Sequence, residues 1–177
     1  MKKDKCIVLI DGGNFYHKLK DLKLHNLLKF DFSEFAKMLA HDQAIVQATY
    51  YVGKVRTDGT KKAQRMFNNQ RKLLAHLKRQ SFNYSLGYLM KADGEYREKG
   101  VDVNIAVDML VAVYENICDR IILVSSDTDL LPVINKAREK KMKVEYIGFS
   151  HKPSLAMIAR CTEPRLLKKE DLLPMRE

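Results

Sequence analysis

The chain has 177 residues, 46% of them hydrophobic and 31% charged, with a formal net charge of +10. That length suits one domain over residues 1–177 with a substantial core, and is short for two. No apolar run approaches the roughly 20 residues that span a bilayer, and the short run ahead of Asp11 cannot serve as a secretory leader, so a cytoplasmic protein without a membrane partner is expected. The surplus of lysine and arginine favours a polyanion as partner, though a solvated basic surface would look the same. Three widely spaced cysteines (Cys6, Cys118, Cys161) form no CxxC pair, which argues against a zinc ribbon. The five histidines show no ligand spacing and read as surface residues.

Residues 6–10 form a first apolar strand that ends at Asp11. Asp11-Gly12-Gly13-Asn14 then makes a tight turn into a helix, with Asn14 as a candidate cap. The stretch 21–30 is a connection of undefined form, and 32–39 is a second helix capped by Asp31 or Ser33. Residues 44–52 form a second strand, 61–80 a long helix and 82–90 a third strand. Residues 91–100 read as a charged loop and 101–116 as a largely buried helix that includes Val103 and Val107. The fourth strand, 120–126, is followed by a helix over 129–140, a fifth strand over 144–149 and a helix over 154–160. The tail, 161–177, is short and mixed. Strands alternating with helices imply an α/β three-layer sandwich around a mostly parallel sheet of five or six strands, similar to Rossmann-like folds.

Two buried strands deliver carboxylates at their tips, which is where ligands bind in open α/β sheets. Asp11 ends the first, and Asp127 and Asp129 follow the fourth. Asp102 opens the helix after Gly100. Asp108, six residues on, is turned about 120° from it, and is placed either at the side of the site or against a basic partner. Three or four carboxylates with an amide such as Asn14 suit Mg²⁺ or Mn²⁺, which take oxygen ligands and can activate water beside a phosphate. Each aspartate alone could equally be a helix cap or a turn former. An Asp-x-Asp after strand one, which haloacid-dehalogenase phosphatases need, is missing: the chain reads Asp11-Gly12-Gly13.

Three ordered motifs resemble the NYN domain, LabA-like branch, of the PIN-like nucleases. They are Ile10-Asp11-Gly12-Gly13-Asn14, then Lys99-Gly100-Val101-Asp102-Val103 with Ala106-Val107-Asp108-Met109-Leu110, then Val124-Ser125-Ser126-Asp127-Thr128-Asp129-Leu130. The likeness runs over about residues 5–160. It implies a PIN-like sheet with strands one and four adjacent, and a metal-dependent endoribonuclease site. By motif, Asp11, Asn14, Asp102, Asp127 and Asp129 would be catalytic. Asp11, Asp102, Asp108 and Asp127 would hold the Mg²⁺ or Mn²⁺. Ser126 stands where the family more often has glycine, a change that could tighten the turn or bring a hydroxyl to the metal. The tail also departs from the usual Ala-Asp ending.

For RNA, the expected contacts are basic. Lys61, Arg65, Lys72 and Arg79 fall within about 40° of one line on the long helix, a stripe that could follow a phosphate backbone or simply face solvent. Lys54 and Arg56 after strand two, and Lys91, Arg97 and Lys99 after strand three, lie at the same carboxyl edge as the acids. Phe15 and Tyr16 could stack on a base or anchor the first helix. The expected partner is RNA, with a homodimer also compatible. The alternative to a nuclease is a non-catalytic RNA-binding or regulatory module that keeps the acidic pocket.

Overall fold

Strand β1 (Lys5–Asp11) is buried from Cys6 onward because helices cover both faces of the sheet. Alternation along the strand sends Cys6, Val8 and Ile10 into one apolar layer and Ile7 and Leu9 into the other. A computed structural model of the protein describes residues 4–92 and 94–176, apart from the side chains of residues 91 and 92. Helix α1 (Gly12–Asp21), α2 (Phe32–Ala40) and α3 (Lys61–Arg79) pack on the first layer. There Phe15 meets Phe30 and Phe35 at centroid distances of 5.5 and 5.4 Å. Helix α4 (Val101–Tyr114), α5 (Leu131–Glu139) and α6 (Leu155–Arg160) cover the second.

The other strands are β2 (Ala44–Lys54), β3 (Asn83–Ala92), β4 (Glu95–Lys99), β5 (Arg120–Val124), β6 (Lys143–Phe149) and β7 (Glu163–Leu167). They form one sheet in the order β4-β3-β2-β1-β5-β6-β7. Every pairing is parallel except β3 with β4. The α/β architecture read from the sequence is therefore present, with seven strands instead of five or six. The chain winds outward in both directions from β1 and β5, so the topology reverses between them. Their carboxyl ends border a crevice at that point.

Both additional strands come from segments without a clear sequence pattern. Residues 91–100, expected as a loop, supply β4, which returns antiparallel along β3 with Glu98 opposite Leu89. The tail supplies β7, α7 (Lys169–Leu172) and a terminal turn over Leu173–Met175. Leu167, Leu172 and Met175 are buried in the first layer, and Met175 O accepts a 2.7 Å hydrogen bond from Asp31 N. Arg165 ties β7 inward: its Nε donates to Glu145 Oε1 at 2.7 Å and its Nη2 to Leu39 O at 3.0 Å. Glu145 is 3% exposed and also faces Arg120 at 3.3 Å.

Helix α4 differs from its expected burial. Val101, Ile105 and Met109 face the sheet, but Val103 and Val107 are 65% and 51% exposed. The helix is apolar around most of its circumference, so composition alone overstated how much of it is covered. All three cysteines are buried free thiols. Among the described residues, no helix is long and apolar enough to cross a membrane.

Candidate acidic site

Asp11 is the last residue of β1 and the N-cap of α1, so the strand-to-helix turn fixes its carboxylate in the crevice. Its Oδ1 accepts from Asn14 N at 3.0 Å and its Oδ2 from the Ser125 hydroxyl at 2.8 Å. Asp11, not Asn14, is thus the cap of the first helix. Asn14 instead binds the neighbouring strand end, its Oδ1 accepting from Ser126 N at 3.2 Å. That bond joins the turn after β1 to the turn after β5.

A close backbone approach requires the first glycine of the turn, whereas the second meets only the end of the Glu98 side chain. A Cβ on Gly12 would press on the Tyr50 ring and stand 2.5 Å from Tyr51 O, and one on Gly13 would stand 2.5 Å from Glu98 Oε2. Gly100, with φ of +78°, starts α4 from the left-handed region and so turns Asp102 toward the crevice in the first helical turn. Asp127 caps the short turn Thr128–Leu130, its Oδ1 accepting from Asp129 N at 2.9 Å.

The result is a cluster: one carboxylate oxygen each of Asp11, Asp102 and Asp127 lies within 4.8 Å of the others. Burial, with the negative charges of Asp127, Asp11 and Asp129, pushes the Asp102 carboxyl up to about 6. Burial also raises Asp11, against the hydrogen bonds from Asn14 and Ser125 and together with the charges of Glu98 and Asp127. Both shifts have the sign that burial, and then the crowding of like charges, gives a carboxyl.

The remaining predicted acids stand apart from this trio. Asp129 is exposed and acts on Asp102 only through its charge. Asp108, expected as a further ligand, is outside the cluster: its Oδ2 accepts from the Tyr51 hydroxyl at 2.6 Å. Its partner is a phenol and not a basic residue, and the reason is the offset of about 120° from Asp102 around α4, which turns it toward Tyr51. Ser126 also differs from expectation. Its hydroxyl pairs with Tyr146 Oη at 2.9 Å, away from the acids, and its backbone is outside the left-handed region, so no glycine is needed there.

The family model for the NYN domain matches residues 5–167. The chain belongs to the NYN domain family. No curated protein matches the sequence. The fold is similar to the crystal structure of a protein of unknown function from Vibrio parahaemolyticus, at 24% identity and a TM-score of 0.67, covering 93% of this chain and 93% of that one. A fainter likeness links it to T5 5′-exonuclease with bound zinc, at 16% identity and a TM-score of 0.46 over 87% of this chain and 60% of that one. The first likeness speaks to the fold alone, and the second is too faint to transfer any property.

The trio of this NYN domain lines a groove of about 890 Å³. Glu98 lines it too, a fourth carboxylate that the sequence reading passed over; its Oε1 accepts from Gly53 N at 2.7 Å. Tyr96 and Glu98 are two residues apart on β4 and share a face, a period-two signal that was available in the sequence. Lys54, Arg56, Lys61, Arg65, Lys72, Arg79, Arg97 and Lys99 are all exposed, and none lines the groove. Arg97 faces Glu95 at 3.9 Å. The Lys91 side chain lies outside the described residues. Lys62, outside the expected stripe, stands 5.7 Å over the ring of Tyr96, a groove residue. Phe15 and Tyr16 divide: Phe15 is buried in the core and Tyr16 lines the groove.

Proposed function

We propose that this NYN domain is a divalent-cation-dependent endoribonuclease, hydrolysing RNA phosphodiester bonds in the groove, and that its motifs assign it to the LabA-like branch. The observation that carries the proposal is the convergence of three carboxylates from three separate elements at the sheet's switch point. The donor set fits the group. Three hard oxygens with no imidazole or thiolate among them suit Mg²⁺ or Mn²⁺ and leave coordination positions for water and substrate. The raised Asp102 and Asp11 carboxyls describe a site whose repulsion a cation would offset.

Asp11, Asp102 and Asp127 would hold the ion. Once bound, it supplies Lewis acidity, lowering the pKa of a water and neutralising charge on the phosphate. The protein's own groups do the positioning. Asn14 N and the Ser125 hydroxyl fix both Asp11 oxygens, and Asp129 N fixes one of Asp127. Asn14 Oδ1 locks the two turns that carry Asp11 and Asp127. RNA as the substrate is supported by the family resemblance and by the net charge of +10. Lys54, Arg56 and the α3 stripe are the proposed phosphate contacts around the groove.

The test is a time course with labelled RNA and Mn²⁺, using the wild type, Asp11→Asn and Asp127→Asn, with circular dichroism as the fold control. Cleavage by the wild type and a loss of roughly 100-fold or more in each folded variant is expected, the scale on which a lost electrostatic stabiliser is felt. Retained metal-dependent cleavage in both variants contradicts the proposal. Tight RNA binding with no product at any time would favour the non-catalytic module instead.

A further inference from the structure

Residues 125–127 join the end of β5 to the turn Thr128–Leu130 and belong to no strand or helix. They nonetheless carry Asp127, one of three carboxylates whose oxygens lie within 4.8 Å of one another. Like charges so close push apart, so the backbone beneath Asp127 has to be held from more than one side. On one side it is tied to β1 and α1. Asn14 Oδ1 accepts from Ser126 N at 3.2 Å, and the Ser125 hydroxyl, bonded to Asp11, accepts from Asp127 N at 3.1 Å. The other side is held by a residue of β6 that lies outside all three sequence motifs.

That residue is Tyr146, which pairs with Leu123 of β5 and is 0% exposed. A phenol so fully buried must find partners for its hydroxyl. Tyr146 Oη finds two: it accepts from Ser154 N at 3.1 Å and pairs with Ser126 Oγ at 2.9 Å. Ser154 is the N-cap of α6, so one hydroxyl joins the Asp127 turn to the start of that helix. The ring has room because the next residue on its face of β6 is Gly148. A Cβ there would press on Tyr146 Oη and stand 2.5 Å from Cζ. The φ of Gly148 is outside the left-handed region, so this glycine provides space and not an unusual backbone conformation. Ser126 completes the match, since the glycine more usual at its place would offer no hydroxyl. Phenol, cleared space and serine thus form one unit built from two separate segments.

We propose that Tyr146 is a positioning residue for the cation site: its hydroxyl clamps the Ser126–Asp127 backbone to β6 and the start of α6, and so sets the Asp127 carboxylate opposite Asp11 and Asp102. That role rests on the trio being a cation site, as in the nuclease reading, but it is read out by backbone exchange and metal affinity and not by turnover.

Tyr146→Phe removes the hydroxyl and keeps the ring. In EDTA, amide hydrogen exchange followed by NMR should show the Ser126 amide exchanging about tenfold faster or more in this variant, with the amides of β1 unchanged. The affinity for Mn²⁺, titrated by the paramagnetic resonance signal of the free ion, should fall about 10- to 100-fold, the scale on which groups that support a metal ligand are felt. Ser126→Ala removes the other end of the bond and should weaken Mn²⁺ binding to a similar extent, which keeps the test open should Tyr146→Phe not fold. The double variant should bind no more weakly than either single one, because all three lose the same contact. Thr162→Val is the control for a general loosening of β6: Thr162 Oγ1 accepts from Val144 N at 3.1 Å at the far end of that strand, and its loss should leave Mn²⁺ affinity within about twofold of the wild type. Unchanged Mn²⁺ affinity in Tyr146→Phe and Ser126→Ala overturns the proposal, as does an equal loss in Thr162→Val or additive losses in the double variant. A wild type that binds no Mn²⁺ removes the cation site and the nuclease reading; exchange then still decides the clamp, and equal Ser126 rates in wild type and Tyr146→Phe overturn it.

Discussion

Asp102 is the residue whose chemistry is most exposed to a test. Its carboxyl titrates at about 6 in the folded protein against about 3.8 when free. An acid raised by folding holds more protons in the native state between those values. Its contribution to stability is therefore complete below pH 3.8 and is lost as pH rises through 6. The cation-free wild type should accordingly lose thermal stability relative to Asp102→Asn as pH rises from about 4 to 6.5, measured as the difference between the two melting curves at each pH. Added Mn²⁺ should stabilise the wild type increasingly across that window and leave Asp102→Asn little changed, because binding must displace a proton below pH 6. At the turn beside it, Gly12→Ala places a methyl against the Tyr50 ring and Tyr51 O, and should cost about 1–3 kcal/mol in urea unfolding. These positions were legible in the sequence because Asp11 and Gly12 sit where an apolar run stops and Asp102 opens an apolar helix just after Gly100. Glu98 offered only its two-residue spacing from Tyr96, a faint signal for one charge among many in a segment without apolar alternation. Asp108 had the right composition around it, but its direction depended on where α4 lies against Tyr51.

At the level of elements, β7 shows what sequence pattern cannot supply. Glu145 interrupts an otherwise apolar strand, and nothing near it in sequence names its partners, Arg120 and Arg165. Together they close the sheet's edge and reach the carboxyl end of α2 through Leu39 O. Removing the carboxylate leaves two largely buried guanidinium groups facing each other. Glu145→Ala should therefore cost about 3–5 kcal/mol in denaturant unfolding, whereas replacing Glu145, Arg120 and Arg165 together by apolar residues should recover most of that loss. Equal stability of Glu145→Ala and wild type would show the network to be inert. The five strands and the helices with clear periodicity were foreseeable from the burial that a sheet covered on both faces imposes. β4 and β7 were not, because each is an edge strand whose exposed, charged residues carry no apolar alternation.

On the scale of the whole molecule, charge is segregated: a chain with a net charge of +10 surrounds a groove whose described lining has four carboxylates and no lysine or arginine. Affinity for single-stranded RNA should fall linearly with salt on logarithmic axes. Arg65→Ala or Lys72→Ala, if each removes one phosphate contact, should lower that slope by about 0.7 without altering base preference. A slope unchanged in both variants would move the backbone path away from α3. The central claim is that Asp11, Asp102 and Asp127, carried by β1, α4 and the turn after β5, form one cation site. Anomalous diffraction from crystals of the full chain soaked in Mn²⁺ tests it most directly. A single strong peak, or a close pair, bounded by these three carboxylates and lost in Asp127→Asn is the predicted result. A structure with Mn²⁺ bound elsewhere and no peak among the three would contradict it.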